Sequence, residues 1–137
     1  MIIKIPFRTP SVNKLYGKTF RHGGLYLKPE AKKLKKEIRE IVIKSLPFFS
    51  SNLNNGLNVI VEVHENWLTK KGEVKHKDID NRCKFLIDSV FDAIGLDDKY
   101  IFELTIKKVQ SNEEFSTIKI EEIRYDFDED IKVWIGQ

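Results

Sequence analysis

Two hydrophobic periods alternate along the chain. Residues 57–64, LNVIVEVH, place Leu57, Val59, Val61 and Val63 at every second position against more polar neighbours, the spacing of a strand with one face in a core. Residues 29–46, PEAKKLKKEIREIVIKSL, change to a helical period in which Leu34, Ile38, Ile41 and then Ser45 trace one face. Pro29 suits the first turn of that helix, and Glu30 suits the positive end of its dipole. A second helical stretch runs from Asp80 to Ile94 through Phe85 or Leu86, Val90 and Ile94, with Gly95 placed as its C-cap. Strands are also predicted at residues 1–7, ending at Pro6, and at residues 101–110 and 115–124. The polar SNEE between these last two reads as the turn of an antiparallel hairpin.

The segments between these elements are polar. Residues 8–28 hold Gly17, Gly23 and Gly24 among aromatics and cations and read as a long loop or irregular hairpin, residues 47–56 as an Asn-rich connection, and residues 65–77 as a basic loop. The order β-α-β-α-β-β predicts an α+β fold, a mixed β-sheet with two helices packed on one face. With 137 residues in all, one domain over residues 1–124 is expected, followed by an acidic and aromatic tail, residues 125–137, that adds an edge strand or swings free.

Composition narrows the class. With 41% hydrophobic and 33% charged residues the chain has the make-up of a globular protein. No apolar run approaches the roughly 18 residues of a membrane span, and MIIKIPFRTP lacks the features of a signal peptide, so a cytoplasmic protein with no membrane partner is expected. The one cysteine, Cys83, has no zinc-type Cys/His spacing around it and reads as a semi-buried helical thiol; His22, His64 and His76 likewise show no ligand spacing.

Charge changes the picture more. The net charge is only +3, but residues 1–84 carry 18 Lys and Arg against 8 Asp and Glu, and residues 85–137 carry 6 against 13. A basic face of this kind suits a polyanion, because lysines near phosphates release counterions. Lys32, Lys33, Lys35, Lys36 and Arg39 cover most of the first helix outside its apolar stripe, with Lys33–Glu37 and Lys36–Glu40 at the spacing of local ion pairs. A solvated face and a phosphate contact both fit that pattern.

Against this basic background stand four carboxylates, Asp78 and Asp80 at the start of the second helix and Asp97 and Asp98 just after it. If they converge, their oxygens suit a hard divalent cation such as Mg²⁺, and the chemistry implied is phosphodiester hydrolysis. Lys84 lies one helical turn after Asp80, where an ammonium can face a phosphate oxygen, and Asp88 continues the face. Capping by Asp80 and a surface ladder of Asp80, Lys84 and Asp88 explain the same residues without any site. The helix spans about 21 Å at 1.5 Å per residue, so Asp98 has to return along a neighbouring strand or approach across a subunit interface. No phosphate-binding glycine loop, dinucleotide fingerprint or serine-hydrolase elbow is present.

The run DIDNRCKFLIDSVFDAIGLDDKYI resembles the signature of the RusA family of Holliday junction resolvases: D-[LI]-D-N-x-x-K, an apolar helix, then an apolar residue before D-D and a strand. The segment PSVNKLYG is similar to the P-S-x-N stretch after the family's first strand. The resemblance implies that Asp78, Asp80 and Asp98 are metal-binding carboxylates and Lys84 the catalytic lysine, with Asp97 the less critical member of its pair and Asn81 completing the motif. It further implies a magnesium-dependent homodimeric endodeoxyribonuclease, with Mn²⁺ as a substitute ion, that nicks two symmetric strands of a four-way DNA junction in recombination and repair. Arg82 and Lys99-Tyr100 depart from the family pattern, and the acidic tail has no counterpart in it.

Given such a substrate, Lys70, Lys71, Lys75, Lys77 and Arg82 are expected to track the DNA backbone, with Asn13, Lys14 and Tyr16, together with Lys18 and Arg21, completing the surface. Trp67 is expected at the edge of the core, with stacking on a base as its alternative. A non-catalytic branched-DNA-binding protein is the competing class, and a protein-interaction domain working through the acidic tail the third.

Overall fold

A computed structural model describes residues 1–11, 16–18, 25–45, 53 and 55–123, without the side chains of Tyr16, Lys18 and Leu25. Expectations for Asn13, Lys14, Arg21, His22 and the tail, and for the side chains of Tyr16 and Lys18, fall outside the described part.

The strand read from LNVIVEVH is the centre of the molecule. As β4, Leu57–Glu65, it buries every odd-numbered residue and half-exposes every even one, as a strand with one covered face must. One residue longer than its apolar alternation indicates, it ends in Glu65 on the buried side. Beside it lie β1 (Ile2–Ile5), β5 (Ile101–Gln110) and β6 (Phe115–Glu122) in the order β1-β6-β4-β5. The β4–β5 pair is parallel, and the β4–β6 and β1–β6 pairs are antiparallel, so the sheet is mixed. A separate two-stranded ribbon, β2 (Tyr16–Lys18) and β3 (Leu25–Leu27), occupies part of the segment read as a loop or irregular hairpin.

The expected hairpin of residues 101–110 and 115–124 does not form. Both strands exist, but β4 lies between them, and the polar turn at residues 111–114 crosses the end of β4, where the Ser111 N–H donates to the Glu65 carbonyl at 3.0 Å. Strands that flank a third are about 9.6 Å apart, within reach of a four-residue connection. Central placement leaves β4 hydrogen-bonded on both edges and puts its fully buried Leu57, Val59 and Val61 at the middle of the core.

Two helices, α1 (Pro29–Lys44) and α2 (Asp80–Ile94), complete the α+β fold. The inner side of α1 centres on Ala31, Ile38 and Val42; it shares Ile38 with the stripe read in sequence and is turned slightly from it, with Leu34 and Ile41 at its margin. Phe85, Leu86, Val90 and Phe91 of α2 meet Ile3 and Ile5 of β1 and Ile118 and Ile120 of β6 in one core. Gly95 ends α2 in the left-handed region at φ 81°, where its N–H and that of Leu96 both reach the Phe91 carbonyl. Gly56, at φ 84°, has a second constraint, since a Cβ there would stand 2.3 Å from the Phe102 ring.

The helical layer does not cover β5. Leu104, whose neighbour in β4 is the fully buried Val59, is 48% exposed, and Phe102 is 59% exposed. Among the described residues β5 is also the outer strand of the sheet, with no partner strand on one of its edges.

Candidate active site

Asp78 and Asp80 flank a helix start that uses neither of them. The N-cap position of α2 is Ile79, in a helical conformation and without a side-chain cap bond, and Asp80 is already inside the first turn. Both carboxylates are exposed, and among the described residues neither accepts a hydrogen bond or forms an ion pair. The capping explanation is therefore not what the geometry shows. Nor does the surface ladder form, because Lys84 comes within ion-pair distance of neither Asp80 nor Asp88.

The second acidic pair divides. Asp97 is the N-cap of a 3₁₀ turn, Asp98–Tyr100, and its carboxylate accepts the Lys99 N–H at 2.9 Å. That bond holds the Asp97 carboxyl below its usual range. Asp97 is occupied with the turn, and Asp98 is left at its exposed start.

Asp80, Asn81, Lys84, Asp88 and Asp98 line one cavity of about 440 Å³, together with the apolar Ile101, Leu104 and Ile106 of β5. The cavity lies where α2 meets the uncovered strand. After Gly95 the chain turns back, and the 3₁₀ turn brings Asp98 alongside the middle of the helix rather than beyond its end. Partial burial raises the Asp88 carboxyl above its ordinary value; the Lys84 ammonium opposes that rise, and the Asp98 charge adds to it. These three groups thus share one field. Asp88, left by sequence reasoning as a helix-face charge, belongs to the lining of the same cavity.

Asp78 faces a second, adjoining cavity of about 460 Å³ with Arg8, Ser11, His76, Lys77 and Arg82, and Asn81 lines both. The four acids are strung along α2 and are not gathered on one point. Among the described residues, no group of three or more His, Cys, Asp or Glu stands close enough to hold a single ion. The donors are of the right kind for a hard cation, being carboxylate and amide oxygens; the spacing closes no coordination shell within one chain.

The basic residues are also divided. The segment after β4 folds into a tight turn through the Leu68–Val74 bridge, with Gly72 at φ 81°, and this presents Lys70 and Lys71 at its exposed tip. Lys75 donates to the Asn66 carbonyl at 3.1 Å, and Lys77 donates to Glu65 at 3.4 Å. Arg82 departs from its expected place on a DNA-tracking surface: it is 4% exposed, ion-paired with the 2% exposed Glu65 and bonded through Nε to the Thr9 carbonyl. A guanidinium committed to a buried carboxylate is not available to phosphate. Trp67 is 4% exposed and donates from Nε1 to the Val63 carbonyl at 3.0 Å, a core-edge side chain with no free face for a base.

Sequence reasoning overlooked Glu65, Arg8 and Thr9, which carry the packing beneath Asp78. The signal was the period of each element: Glu65 extends the buried alternation of β4, and Arg82 lies three residues before Phe85 and four before Leu86 on the apolar side of α2.

No helix among the described residues is long and apolar enough to cross a membrane. A search of curated proteins finds no match. The family described as Endodeoxyribonuclease RusA matches residues 6–121, which include all of β4, α2, the two acidic pairs and β5. By that match over most of its length, the chain belongs to the RusA family of endodeoxyribonucleases.

Proposed function

We propose that the chain is a divalent-metal-dependent, structure-selective endodeoxyribonuclease that resolves four-way DNA junctions as a homodimer. One observation carries the reading: Asp78 and Asp80 are exposed at a helix start that spends neither on capping nor on pairing, while Asp80 shares a cavity with Lys84 and Asp98. Unpaired carboxylates beside a lysine, in a family of DNA-cleaving enzymes, are suited to holding a cation against a phosphodiester.

In this reading Asp78, Asp80 and Asp98 hold Mg²⁺, or Mn²⁺ in its place. A cation held by these carboxylates would supply Lewis-acid polarisation of the scissile phosphodiester and a lowered pKa for an attacking water. Lys84 faces the phosphate and offsets the negative charge that develops on its oxygens. Lys70 and Lys71, at the tip of their turn, meet the backbone of the DNA.

The second copy enters through geometry. Among the described residues the acids of one chain do not close around an ion, and their cavity opens along β5, an outer strand whose Leu104 and Phe102 stand half exposed. A two-fold related copy packed over β5 covers those apolar groups and brings its own acids towards the same seam. It also supplies the two symmetric sites that paired incisions require.

A labelled four-way junction incubated with Mg²⁺ and then with EDTA tests the proposal. Symmetric nicks that appear only with the metal are expected. Junction binding without metal-dependent nicks, measured across active concentrations of protein, establishes instead the non-catalytic DNA-binding class.

A further inference from the structure

The lysines of α1 acquire a place only when the two helices are set side by side. Lys32, Lys35, Lys36 and Arg39 stand at positions i, i+3, i+4 and i+7, one continuous face of the helix. That face forms one wall of a groove of about 240 Å³, whose other wall is the Ser89 and Asp92 side of α2. Lys35 is ion-paired with Asp92 across the groove and so is neutralised. Lys32, Lys36 and Arg39 are exposed and have no ion-pair partner among the described residues; the Lys36–Glu40 pair suggested by spacing does not form. Three uncompensated cations therefore project over one groove.

The floor supplies an independent observation. Ser89 is 1% exposed, and its hydroxyl is a buried polar atom without a hydrogen-bond partner among the described residues. Buried hydroxyls are nearly always satisfied, and the group that lines this groove is not. The three cations are the donors that a phosphodiester accepts, and the buried hydroxyl beneath them is spent on no other group among the described residues.

Spacing fits a nucleic-acid strand. From position 32 to position 39 the helix rises about 10.5 Å, long enough for the stripe to meet more than one phosphate of a strand lying along it. The groove also adjoins the acidic cavity, because Asp88 feels both Lys84 of that cavity and Lys35 of the groove. A strand lying in the groove runs on toward Asp88.

We propose that the α1–α2 groove is a separate subsite for the sugar-phosphate backbone of a DNA arm, held by Lys32, Lys36 and Arg39. This deepens the nuclease reading and rests on it only for the identity of the polyanion. The subsite contributes affinity without sequence preference, as phosphate contacts do, and places the arm against the cleavage face.

The test measures binding of a labelled four-way junction in EDTA between 50 and 200 mM salt, so that cleavage plays no part. For Lys32→Ala/Lys36→Ala/Arg39→Ala the slope of log affinity against log salt is expected to fall by about 2.7, about 0.9 for each of the three cations, which makes the loss of affinity over that interval about 40-fold smaller than in the unmodified chain. The charge-retaining variant Lys32→Arg/Lys36→Arg/Arg39→Lys is expected to keep the original slope. An unchanged slope in the alanine variant overturns the proposal, and so does an equal fall in both variants, which assigns the effect to packing. An unmodified chain that binds the junction yet never nicks it with Mg²⁺ overturns the nuclease reading alone and leaves the groove standing.

Discussion

Glu65 closes β4, Arg82 lies in the first turn of α2, and their side chains meet as an ion pair at 3% and 4% exposure. Arg82 also donates to the Thr9 carbonyl, and Lys77 and Arg8 stand 3.4 and 3.9 Å from the same carboxylate. One buried acid thus ties together the end of the central strand, the segment after β1, the residue before Asp78 and the start of the helix that carries Asp80. The spacing of the two exposed aspartates is set from below by this pair.

Breaking the pair from one side leaves a charge in the core. Glu65→Met or Arg82→Leu is expected to cost about 3–5 kcal/mol, whereas Glu65→Met/Arg82→Leu, which removes both charges and keeps apolar volume, is expected to cost far less than the sum of the single changes. Urea unfolding of the four proteins forms the cycle. Additive losses show that the two groups do not interact as an isolated buried pair.

This pair also marks how far the sequence was legible. The start of the first helix, both bounds of the second, the alternation of β4 and the Gly95 cap follow from local rules, and the structure has them, while the first helix stops at Lys44, two residues short of the end its period suggests. What joins distant elements does not follow. A polar four-residue turn between two strands has the pattern of a hairpin whether or not a third strand lies between them, so the insertion of β4 between β5 and β6 is invisible locally. Arg82 reads as one more cation of a basic segment until Glu65 and Thr9 are brought to it. In the acidic site, the residue types were readable from DIDN and LDD and the resemblance set Asp98 above Asp97, but the physical reason, that Asp97 caps a turn while Asp98 lines the cavity, exists only in the fold.

Asp80→Asn separates binding from cleavage. Asparagine keeps the shape at the helix start and removes a negative charge beside phosphate, so affinity for a four-way junction in EDTA is expected to hold or rise while cleavage with Mg²⁺ is abolished. Lys84→Met, which keeps the stem of the side chain, is expected to lower the cleavage rate about 100-fold or more. Gel-resolved nicking under single-turnover conditions checks both, and retained cleavage in Asp80→Asn removes that carboxylate from the metal site.

Cys83 gives a prediction in pH. The thiol is fully buried, and the loss of hydration pushes its pKa from 9.0 up to about 12, against a smaller opposing effect of Arg82. A folded-state pKa above the unfolded one means stability that is complete below about pH 9 and is lost as pH rises toward 12, at up to about 1.4 kcal/mol per unit. Iodoacetamide is expected to leave the native chain unmodified at pH 8 and to label it in urea, with mass spectrometry counting the adduct. In Cys83→Ala the alkaline loss of stability is expected to be shallower.

The exposed strand gives the last test. Leu104 is 48% exposed beside the half-buried Ile101 and Ile106, in the wall of the cavity that contains Asp80 and Asp98. Covering such a patch with a second copy is favourable at roughly 25 cal/mol per Å² of apolar surface, and a glutamate placed in it has to be desolvated without a partner. Because Leu104 is far from buried in the single chain, Leu104→Glu is expected to leave the fold intact by circular dichroism. In sedimentation velocity the unmodified protein is expected at twice the 16.1 kDa chain mass and the variant at the chain mass, with junction cleavage lost although every acid of the site is in place. A variant that stays dimeric and cleaves normally places the partner on another face, and then the carboxylates of one chain have to rearrange to close on their ion.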